Sequence, residues 1–527
     1  MPTRMTIHSA LSHPQPQIHA KRLIMASNRG PVEFYMTHDN VLKHRRGAGG
    51  MVTALIDAGN RMDVTWVAMA MTEGDRIALK EAEDGLISSP LRGPKMHLRY
   101  VAIPKMAYRK HYDKVSNQVL WFLQHYLYSP YDAPLSDQRL QDAWANGYVV
   151  ANQAIADAVS TEIEREESTP VVMLHDYHLY LAPAMIRQRH PQVVMQQFIH
   201  IPWPDARVWH FLPSNISQAI YNGLVGNDII GFQTQRDARN FIEGARTLLE
   251  GAVVDFEEGA IWWHEHRTQV RAYPISISVS EERRTIQSAA GRRAAAKIQP
   301  YLGKEKTIMR VDRIDPTKNI LRGFQAYAQM LEDHPGLLGN IKFLAFLVPS
   351  RQTLPAYQRY NADVLKSIEE INQRYGTENW QPIEAFCDND RTRALAAMRY
   401  YDVLLVNPII DGMNLVSKEG PVVNETNGML VLSRTAGSFE QLGKVAVPTS
   451  PVDVTETAQA LYTALTMPEE ERRSMARMAR QLVEKHDLNG WLTRQIRDIN
   501  DVLDRSRRPI EHVEAVPGTE AIGASVG

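Results

Sequence analysis

Residues 403–420 read Val-Leu-Leu-Val-Asn-Pro-Ile-Ile-Asp-Gly-Met-Asn-Leu-Val-Ser-Lys-Glu-Gly, and a fold class follows from this stretch. Its first four residues form a compact apolar run that is typical of a buried parallel strand. Pro408 and Gly412 indicate a turn, and the residues after them predict a helix that begins at about Asn414. A strand, a turn and a helix in this order form the repeating unit of a parallel α/β sheet.

The same stretch predicts a place for an anionic ligand. In an open α/β sheet, ligands usually bind beyond the carboxyl ends of the strands. A helix that begins there points free N–H groups and a partial positive charge at the ligand, which suits a diphosphate or a sugar that carries one. Asp411 precedes the predicted helix, and Glu419 is expected two turns along it. An ordinary strand–turn–helix with a solvated acid at each end would give the same pattern.

Outward from this stretch, short apolar runs alternate with helical patterns, which predicts a mainly parallel α/β architecture. Polar clusters follow the predicted strands at 23–26, 171–174 and 193–199. The pattern restarts after about residue 275, with strands predicted near 307–311, 341–348, 402–406, 429–432 and 445–447. Two α/β halves whose strands end in polar clusters predict a cleft between two doubly wound domains.

The composition fits a soluble protein with more than one domain. The chain has 527 residues, of which 44% are hydrophobic and 23% charged, and it is too long for a single core. A net charge of −1 gives no reason to expect nucleic acid or an anionic membrane as a partner. The single cysteine, Cys387, excludes an intramolecular disulfide and fits a reducing compartment. Since no apolar run is long enough to span a bilayer and the start lacks a signal-peptide pattern, we expect a cytoplasmic protein.

Two features of the loops are compatible with a phosphate ligand. Arg313 and Lys318 directly follow a predicted strand, and two such cations can approach two oxygens of a diphosphate. The segment Gly47-Ala48-Gly49-Gly50 can let the backbone approach a phosphate at a helix start, although it lacks the spacing of a P-loop or a dinucleotide fingerprint. A solvated basic turn is the alternative interpretation of the two cations.

Histidines at predicted strand ends, namely His175, His178 and His200, raise the question of a metal. No His-x₃-His pair or paired-carboxylate set accompanies them, so we expect cleft histidines and no metal site. No Gly-x-Ser-x-Gly motif is present, and covalent hydrolysis is therefore not expected.

Eight motifs stand in order from about residue 22 to 500, with consistent spacing. They are Ser27-Asn28-Arg29, Gly49-Gly50, residues 112–121, His175-Asp176-Tyr177-His178, His200-Ile201-Pro202, Arg313 with Lys318, Ser350-Arg351, and residues 411–419. Each motif is weak by itself, but the ordered set is specific. Together they resemble the trehalose-6-phosphate synthase family.

The resemblance implies a GT-B glycosyltransferase, with two Rossmann-like domains facing a central cleft and no required metal or cofactor. Members of that family move glucose from a nucleoside diphosphate to glucose 6-phosphate with retention of the anomeric configuration, which gives α,α-trehalose 6-phosphate. The implied partners are therefore a nucleoside-diphosphate-glucose and glucose 6-phosphate, with no nucleic acid and no membrane. A homo-oligomer is compatible with the sequence.

The matching motifs carry the family's donor residues onto this chain. Arg313 and Lys318 would hold the diphosphate, Glu419 the ribose hydroxyls, and Asp411 with His200 the transferred sugar. The backbone after Asp411, faced by the two glycines of the second motif, would line the donor. The implied donor residues are Gly49, Gly50, His200, Arg313, Lys318, Asp411, Gly412, Met413, Asn414, Leu415 and Glu419.

On the acceptor side, Arg29, Tyr112 and Arg351 would bind the sugar phosphate, with Trp121 and Asp176 against the ring. Retention without an obvious nucleophile fits front-face attack, in which orientation and charge stabilisation supply the catalysis. The residues implied in catalysis are Asp176, His200, Arg313, Lys318 and Asp411.

We expect five segments along the chain. Residues 1–20 and 506–527 are expected to be disordered. Residues 21–278 are the predicted acceptor-binding domain and 279–488 the predicted nucleotide-sugar-binding domain. A helix at 489–505 is expected to pack back on the first domain, as the resemblance implies.

Some residues depart from the family pattern. Trp203-Pro204 and the segment 387–391 look more like the related pseudoglycosyltransferase that makes validoxylamine phosphate. They leave the nucleobase (UDP, ADP or GDP) and the acceptor open, so a same-fold enzyme with another sugar- or cyclitol-phosphate acceptor is the alternative function. A non-catalytic sugar-phosphate sensor is disfavoured, because the charged donor and acceptor residues are all present. Pro421 predicts a short or kinked helix after Glu419.

Overall fold

The structure, a computed structural model, describes residues 17–47, 63–91, 95–129, 131, 137–165 and 168–506. Within these ranges the strands form a ten-stranded sheet, a six-stranded sheet and a two-stranded hairpin. In chain order the strands are β1 (Arg22–Ser27), β2 (Val32–Met36), β3 (Leu42–Arg46), β4 (Asp63–Met69), β5 (Ile87–Ser88), β6 (Met96–Val101), β7 (Val171–His175), β8 (Val194–Phe198), β9 (Ile229–Phe232), β10 (Val253–Asp255), β11 (Ala260–Trp263), β12 (His266–Ala272), β13 (Lys306–Ile314), β14 (Ile341–Pro349), β15 (Ile383–Phe386), β16 (Val403–Val406), β17 (Met429–Ser433) and β18 (Val447–Thr449).

The first sheet has the strand order β10-β11-β12-β9-β8-β7-β1-β4-β6-β5. The seven strands from β12 to β6 run parallel, and antiparallel pairs close both edges. The second sheet, β15-β14-β13-β16-β17-β18, is parallel throughout. Its strand β16 is buried at every residue, as its unbroken apolar sequence predicts. The predicted α/β class is confirmed.

Helices connect the strands. In chain order the α-helices are α1 (Glu73–Glu81), α2 (Lys105–Arg109), α3 (Trp121–Gln124), α4 (Asp137–Ala143), α5 (Val150–Glu164), α6 (Ala182–Arg189), α7 (Ser214–Leu224), α8 (Gln235–Leu248), α9 (Val279–Gln287), α10 (Ala289–Ile298), α11 (Ile320–Asp333), α12 (Pro355–Tyr375), α13 (Arg391–Ala397), α14 (Val416–Val423), α15 (Phe439–Leu442), α16 (Val454–Thr466), α17 (Glu469–Lys485) and α18 (Leu488–Ser506). Two π-helical segments, Lys110–Leu120 and Trp144–Val149, continue into α3 and α5. They press together at Gly147, where an added Cβ would lie 2.4 Å from the Cβ of Lys110.

Helix α14 begins two residues later than predicted. Asn414 has a φ of 72°, in the left-handed region, and so cannot start a right-handed helix. Its side-chain oxygen instead accepts a hydrogen bond from the N–H of Ser417 at 3.3 Å. Glu419 therefore lies one turn into the helix, which corrects the expected two turns. The helix is eight residues long and contains Pro421, in line with the predicted short helix.

Two smaller features also differ from the sequence prediction. The β2–β3 hairpin was not predicted, because its exposed residues lack a long apolar run. Strand β18 starts at Val447 after a 3₁₀ turn at Gly443–Val445, so the strand predicted at 445–447 was placed two residues early.

The last helix, α18, lies against the first sheet. Its Trp491 is fully buried and packs edge-to-face on Phe198 of β8, with ring centroids 5.3 Å apart. Gln495 accepts a 2.7 Å hydrogen bond from Gln196, also in β8. The chain thus returns to its first half, while the domain limits at residues 278 and 488 stay predictions. Across the described part of the chain, no helix is long and apolar enough to cross a lipid bilayer.

Candidate active site

The predicted site residues follow strands at the points where strand order reverses. In the first sheet the reversal lies between β1 and β7, which Arg29 and Asp176 follow. In the second sheet it lies between β13 and β16, which Lys318 and Asp411 follow. Crevices at such reversal points are the usual ligand sites of doubly wound sheets.

Two adjoining cavities lie there, between residues of both sheets. The larger has a volume of about 720 Å³ and the smaller about 650 Å³, sizes that suit a small-molecule ligand. The predicted residues on the larger cavity are His200, Arg313, Lys318, Asp411, Met413, Asn414, Leu415 and Glu419. The predicted residues on the smaller are Arg29, Tyr112, Trp121, Asp176, His200, Arg313, Lys318, Arg351 and Asp411. Four of them, namely His200, Arg313, Lys318 and Asp411, line both cavities. Gly49 and Gly50 lie outside the described residues.

The junction of the cavities is strongly polar. The Lys318 ammonium donates a hydrogen bond to the Asp411 carboxylate, which also accepts one from Asn414 at 3.1 Å. Burial alone would raise the pKa of Asp411, but the charge and hydrogen bond of Lys318 hold it below its usual value. Arg313 is exposed to the cavities and has no ion-pair partner among the described residues. This cation is therefore available to a ligand.

Gly412 does not line a cavity but holds the turn against the first domain. An added Cβ at Gly412 would lie 2.2 Å from the carbonyl oxygen of His200. On the other side, an added Cβ at Gly437 would lie 1.8 Å from the carbonyl oxygen of Gly412. The turn after β16 thus fits between two backbone segments only because glycine stands at both positions.

At the far end of the larger cavity, one arginine forms ion pairs with two glutamates, an arrangement that the sequence did not predict. Arg391 donates hydrogen bonds to Glu419 at 3.0 Å and to both carboxylate oxygens of Glu282 at 2.6 and 2.8 Å. Burial, together with the nearby Glu419 carboxylate, raises the pKa of Glu282 to about 7. Of the segment 387–391, Arg391 is the residue that reaches this cavity.

Arg351 is anchored by Asp315 and Tyr357, which the sequence left unassigned, and by the predicted Trp121. Its guanidinium donates to the Asp315 carboxylate at 2.8 Å and to the Tyr357 hydroxyl at 2.6 Å, and it lies 4.0 Å above the Trp121 ring. Burial would raise the pKa of Asp315, but the charges of Arg351 and Arg313 hold it at about 2. One signal was available, because Asp before Pro after a strand is a helix-capping pattern, and Asp315 accepts from the Thr317 N–H.

Aromatic rings line the rest of the smaller cavity. Tyr112 stacks between Tyr108 and His178, with centroid distances of 5.6 and 5.7 Å. Burial lowers the pKa of His200 to about 4, so its ring is neutral near pH 7, and its Nε2 has no hydrogen-bond partner among the described residues. That nitrogen is a buried polar atom without a partner, on a residue that lines both cavities.

Asp176 has an unusual backbone and an unusual carboxyl group. Its φ is 71°, and its side chain accepts a 3.2 Å hydrogen bond from the His200 N–H. Burial raises its pKa to about 7, against the lowering effect of backbone hydrogen bonds and of Arg351 and Arg313. In the described ranges, no group of three or more His, Cys, Asp or Glu side chains is arranged to hold a metal ion.

The raised pKa of Asp176 predicts a pH-dependent stability. The unfolded chain releases this proton near its usual pKa of 3.8, whereas the folded protein keeps it up to about 7. The stabilising contribution is therefore complete below about pH 4 and is lost as the pH rises through 7. Asp176→Asn keeps the oxygen that accepts from the His200 N–H but cannot ionise. The difference in unfolding free energy between this variant and wild type should therefore shift in favour of the variant by about 1–4 kcal/mol as the pH rises from 5 to 8. Urea unfolding of both proteins at pH 5 and pH 8 measures this shift. Asp363→Asn, which replaces an exposed acid, is the control, and an equal shift in the two variants would contradict the prediction.

Comparison with known proteins places this geometry in a family. The family model of glycosyltransferase family 20 matches residues 21–501. The validamine 7-phosphate valienyltransferase of Streptomyces hygroscopicus subsp. jinggangensis is 28% identical over 449 residues, covering 85% of this chain and 88% of that protein. The trehalose-6-phosphate synthase of Citrobacter koseri is 30% identical over 490 residues, covering 92% of this chain and 96% of that protein.

Solved structures share the fold over nearly the whole chain. One, named trehalose-6-phosphate from E. coli bound with UDP-2-fluoro glucose, has a TM-score of 0.78 at 26% identity and covers 91% of this chain and 99% of its own. Another, an α,α-trehalose-phosphate synthase (UDP-forming) from Burkholderia xenovorans in complex with glucose-6-phosphate, has a TM-score of 0.75 at 26% identity and covers 91% and 100%. With the family model matched over most of the chain, this protein belongs to glycosyltransferase family 20 and is a glycosyltransferase with the GT-B fold.

Proposed function

We propose that this enzyme is a retaining glucosyltransferase that moves glucose from a nucleoside-diphosphate-glucose to glucose 6-phosphate and forms α,α-trehalose 6-phosphate. The observation that carries the proposal is the pair of cavities that meet at His200, Arg313, Lys318 and Asp411. A reaction between two substrates needs such a junction, where the reacting atoms of both can approach. The Burkholderia and E. coli structures, with glucose-6-phosphate and UDP-2-fluoro glucose, support the choice of substrates.

In this proposal the donor occupies the larger cavity. Its diphosphate meets Arg313 and Lys318, and its ribose meets Glu419 at the other end. The start of α14 adds a partial positive charge at the diphosphate, together with the backbone of 413–415. The resemblance also assigns Gly49 and Gly50 to the donor, and both lie outside the described residues. Asp411 takes the hydroxyls of the transferred glucose once the diphosphate replaces it as the partner of Lys318.

The acceptor occupies the smaller cavity. Arg29 is exposed there and, within the described ranges, has no ion-pair partner, so it offers its charge to the sugar phosphate with Arg351. Tyr112 donates to the same phosphate. Trp121 and Asp176 face the sugar ring, which leaves the acceptor 1-hydroxyl at the junction beside His200.

The reaction then needs little covalent chemistry from the protein. The bond between the glucose anomeric carbon and the diphosphate oxygen breaks, and the acceptor oxygen bonds to the same face of that carbon. The departing phosphate oxygen takes the acceptor proton. Arg313 and Lys318 stabilise the negative charge that develops on the diphosphate, and the neutral His200 orients the transferred sugar. No cofactor enters, because the nucleotide sugar is itself a substrate.

One experiment tests the function. UDP-, ADP- and GDP-glucose are crossed with glucose 6-phosphate and a panel of other sugar and cyclitol phosphates, and the released nucleotide is measured. Turnover with glucose 6-phosphate, and a product identified as α,α-trehalose 6-phosphate by NMR, is the expected result. No release with any pair would leave the sensor function and overturn the proposal.

A cyclitol-phosphate acceptor is the second candidate, because of the valienyltransferase relative and of Trp203-Pro204. Trp203 does not reach either cavity: it is buried, donates to the Tyr221 hydroxyl at 2.9 Å, and packs on Trp209. It therefore acts on the acceptor only indirectly. Turnover with validamine 7-phosphate but not with glucose 6-phosphate would establish this candidate.

Arg351→Ala should raise the KM for glucose 6-phosphate by about 10–100-fold, since a hydrogen bond between charged groups is worth about 1.5–3 kcal/mol. The KM for the donor should change little. Tyr357→Phe is the matched control, because it removes one hydrogen bond from the same group but leaves the positive charge. Initial rates at varied acceptor concentration measure both variants. An unchanged acceptor KM in Arg351→Ala would remove Arg351 from the phosphate site.

A further inference from the structure

A third cavity lies on the outside of the first half of the chain. It has a volume of about 610 Å³ and shares no lining residue with the two cavities above. Helix α8, the segment between β10 and β11, strand β12 and the C-terminal helix α18 form its walls. We call it the outer cleft. Its size suits a small metabolite.

Arginines dominate the outer cleft. Arg239 comes from α8, Arg271 from β12, and Arg494 and Arg497 from α18. Arg494 and Arg497 are three residues apart, so they lie on one face of the helix. Arg271 is committed to structure, since it donates to the carbonyl oxygens of Glu258 at 2.8 Å and Gly259 at 3.0 Å.

The other three arginines have no direct carboxylate partner, although Asp498 attracts Arg494 at longer range. None of Arg239, Arg494 and Arg497 has a carboxylate within ion-pair distance in the part of the chain that the structure describes. Arg494 is half-buried, and its hydrogen bond is a long one, 3.5 Å, to the carbonyl oxygen of Pro274. Three cations in one concave site favour an anion.

The acids of the cleft offset this charge only in part. Glu258 pairs with Arg267 at 3.1 Å, outside the cleft lining. Asp498 accepts a hydrogen bond from the Tyr273 hydroxyl and lies 4.0 Å from Arg271. Glu257 is the acid that remains, so three available cations face one available carboxylate.

An aromatic ring lies beside these cations. Phe256 lines the same cleft and is 40% exposed, and the Arg239 guanidinium carbon lies 5.5 Å from its ring centroid. Ligand sites combine aromatic side chains with a few placed polar groups, and this cleft has both. The ring offers a flat surface to the organic part of a ligand whose anionic group lies on the arginines.

We propose that the outer cleft is a second, non-catalytic binding site for a small phosphate monoester, with the phosphate on Arg239, Arg494 and Arg497 and the organic group on Phe256. Arginine suits this ligand because its planar fork can donate two hydrogen bonds to one phosphate. The cleft also abuts the segment that joins the two sheets, through Tyr273 and through the contact of Arg494 with Pro274.

Equilibrium dialysis of the full chain with inorganic [³²P]phosphate tests the phosphate position, with saturating UDP present to fill the donor cavity. The variant is Arg239→Ala/Arg497→Ala, two exposed residues whose replacement leaves the core intact. Arg246→Ala, an exposed arginine on the same α8 helix but outside the cleft, is the matched control. We expect the affinity of one class of phosphate-binding site to fall at least tenfold in the double variant. The control should keep that class of site unchanged.

Arg351→Ala separates this site from the proposed acceptor site. It should remove a different class of bound phosphate and leave the outer cleft unchanged, so the two proposals fail independently. Three results would each overturn the outer-cleft site. Wild type could fail to bind phosphate at millimolar concentration, or Arg246→Ala could weaken binding as much as the double variant does. Alternatively, wild type could show one class of site only, and Arg351→Ala could remove it.

Phenyl phosphate is the probe for the organic group. At the outer cleft, the site that the double variant loses, wild type should bind phenyl phosphate at least several-fold more tightly than inorganic phosphate. Phe256→Ala should erase that advantage while binding inorganic phosphate as before. Equal affinity of wild type for the two probes would overturn the role of Phe256.

Discussion

Replacing Lys318 with alanine is expected to lower kcat by about 100–1,000-fold with every nucleotide-sugar donor. Removal of one preorganised group that stabilises developing charge typically costs about 2.7–4 kcal/mol of activation free energy. Lys318 lies at the junction of both cavities, with its side chain 13% exposed, so little water is present to replace it. Initial rates at saturating donor and acceptor measure the effect.

The ion pair with Asp411 requires a control for folding. Lys318→Ala leaves a mostly buried carboxylate without its charged partner, which should lower the free energy of unfolding by about 1–3 kcal/mol. Lys318→Ala/Asp411→Asn should recover much of that stability and still turn over slowly. Arg313→Ala should also slow turnover, and it should lower stability less than Lys318→Ala does, because Arg313 supports the buried Asp315 carboxylate by its charge alone and forms no ion pair within the described residues. Undiminished turnover in Lys318→Ala would remove Lys318 from the diphosphate site.

The sequence was sufficient to place the carboxyl ends of most strands, but β13 runs on to Ile314 and therefore contains Arg313, which was expected to follow that strand. A buried parallel strand such as β16 needs an unbroken apolar run, and the first polar residue after it marks the edge of the sheet. Asp176, His200, Lys318 and Asp411 each follow such a run, and parallel topology brings all the carboxyl ends to one side. The same reasoning predicts a cleft between the two halves but cannot order the strands, so the division of that cleft into a donor part and an acceptor part was expected from the resemblance.

Partners across the site could not be predicted in this way. Arg351 pairs with Asp315, thirty-six positions earlier, and Arg391 with Glu419, twenty-eight positions later. A charged side chain has many acids within reach of its sequence, and packing decides which one it meets. The start of α14 was missed for a related reason, because the left-handed conformation of Asn414 depends on the close fit of the turn around it.

That close fit makes Gly412→Ala the second large effect, with an expected loss of at least about 100-fold in kcat/KM. The added Cβ would lie 2.2 Å from the His200 carbonyl oxygen, where ordinary contacts begin at about 3.4 Å. Backbone lies on both sides of the turn, so no flexible side chain can move away. The turn carrying Asp411 and the segment carrying His200 must therefore separate by about 1 Å, and a misplacement of this size can cost about 100-fold in rate.

The cause would be space and not backbone conformation, because Gly412 does not have a left-handed φ. Gly336→Ala is the matched control: its φ is also ordinary, and an added Cβ there meets open space. It should keep full activity and stability. Thermal unfolding identifies folded Gly412→Ala protein, on which the donor and acceptor KM values are then measured. If the turn positions both substrates, both KM values should rise while kcat falls. Wild-type kinetics in folded Gly412→Ala would mean that the enzyme works with the two segments further apart, and that the His200–Gly412 contact belongs to a resting arrangement of the two sheets.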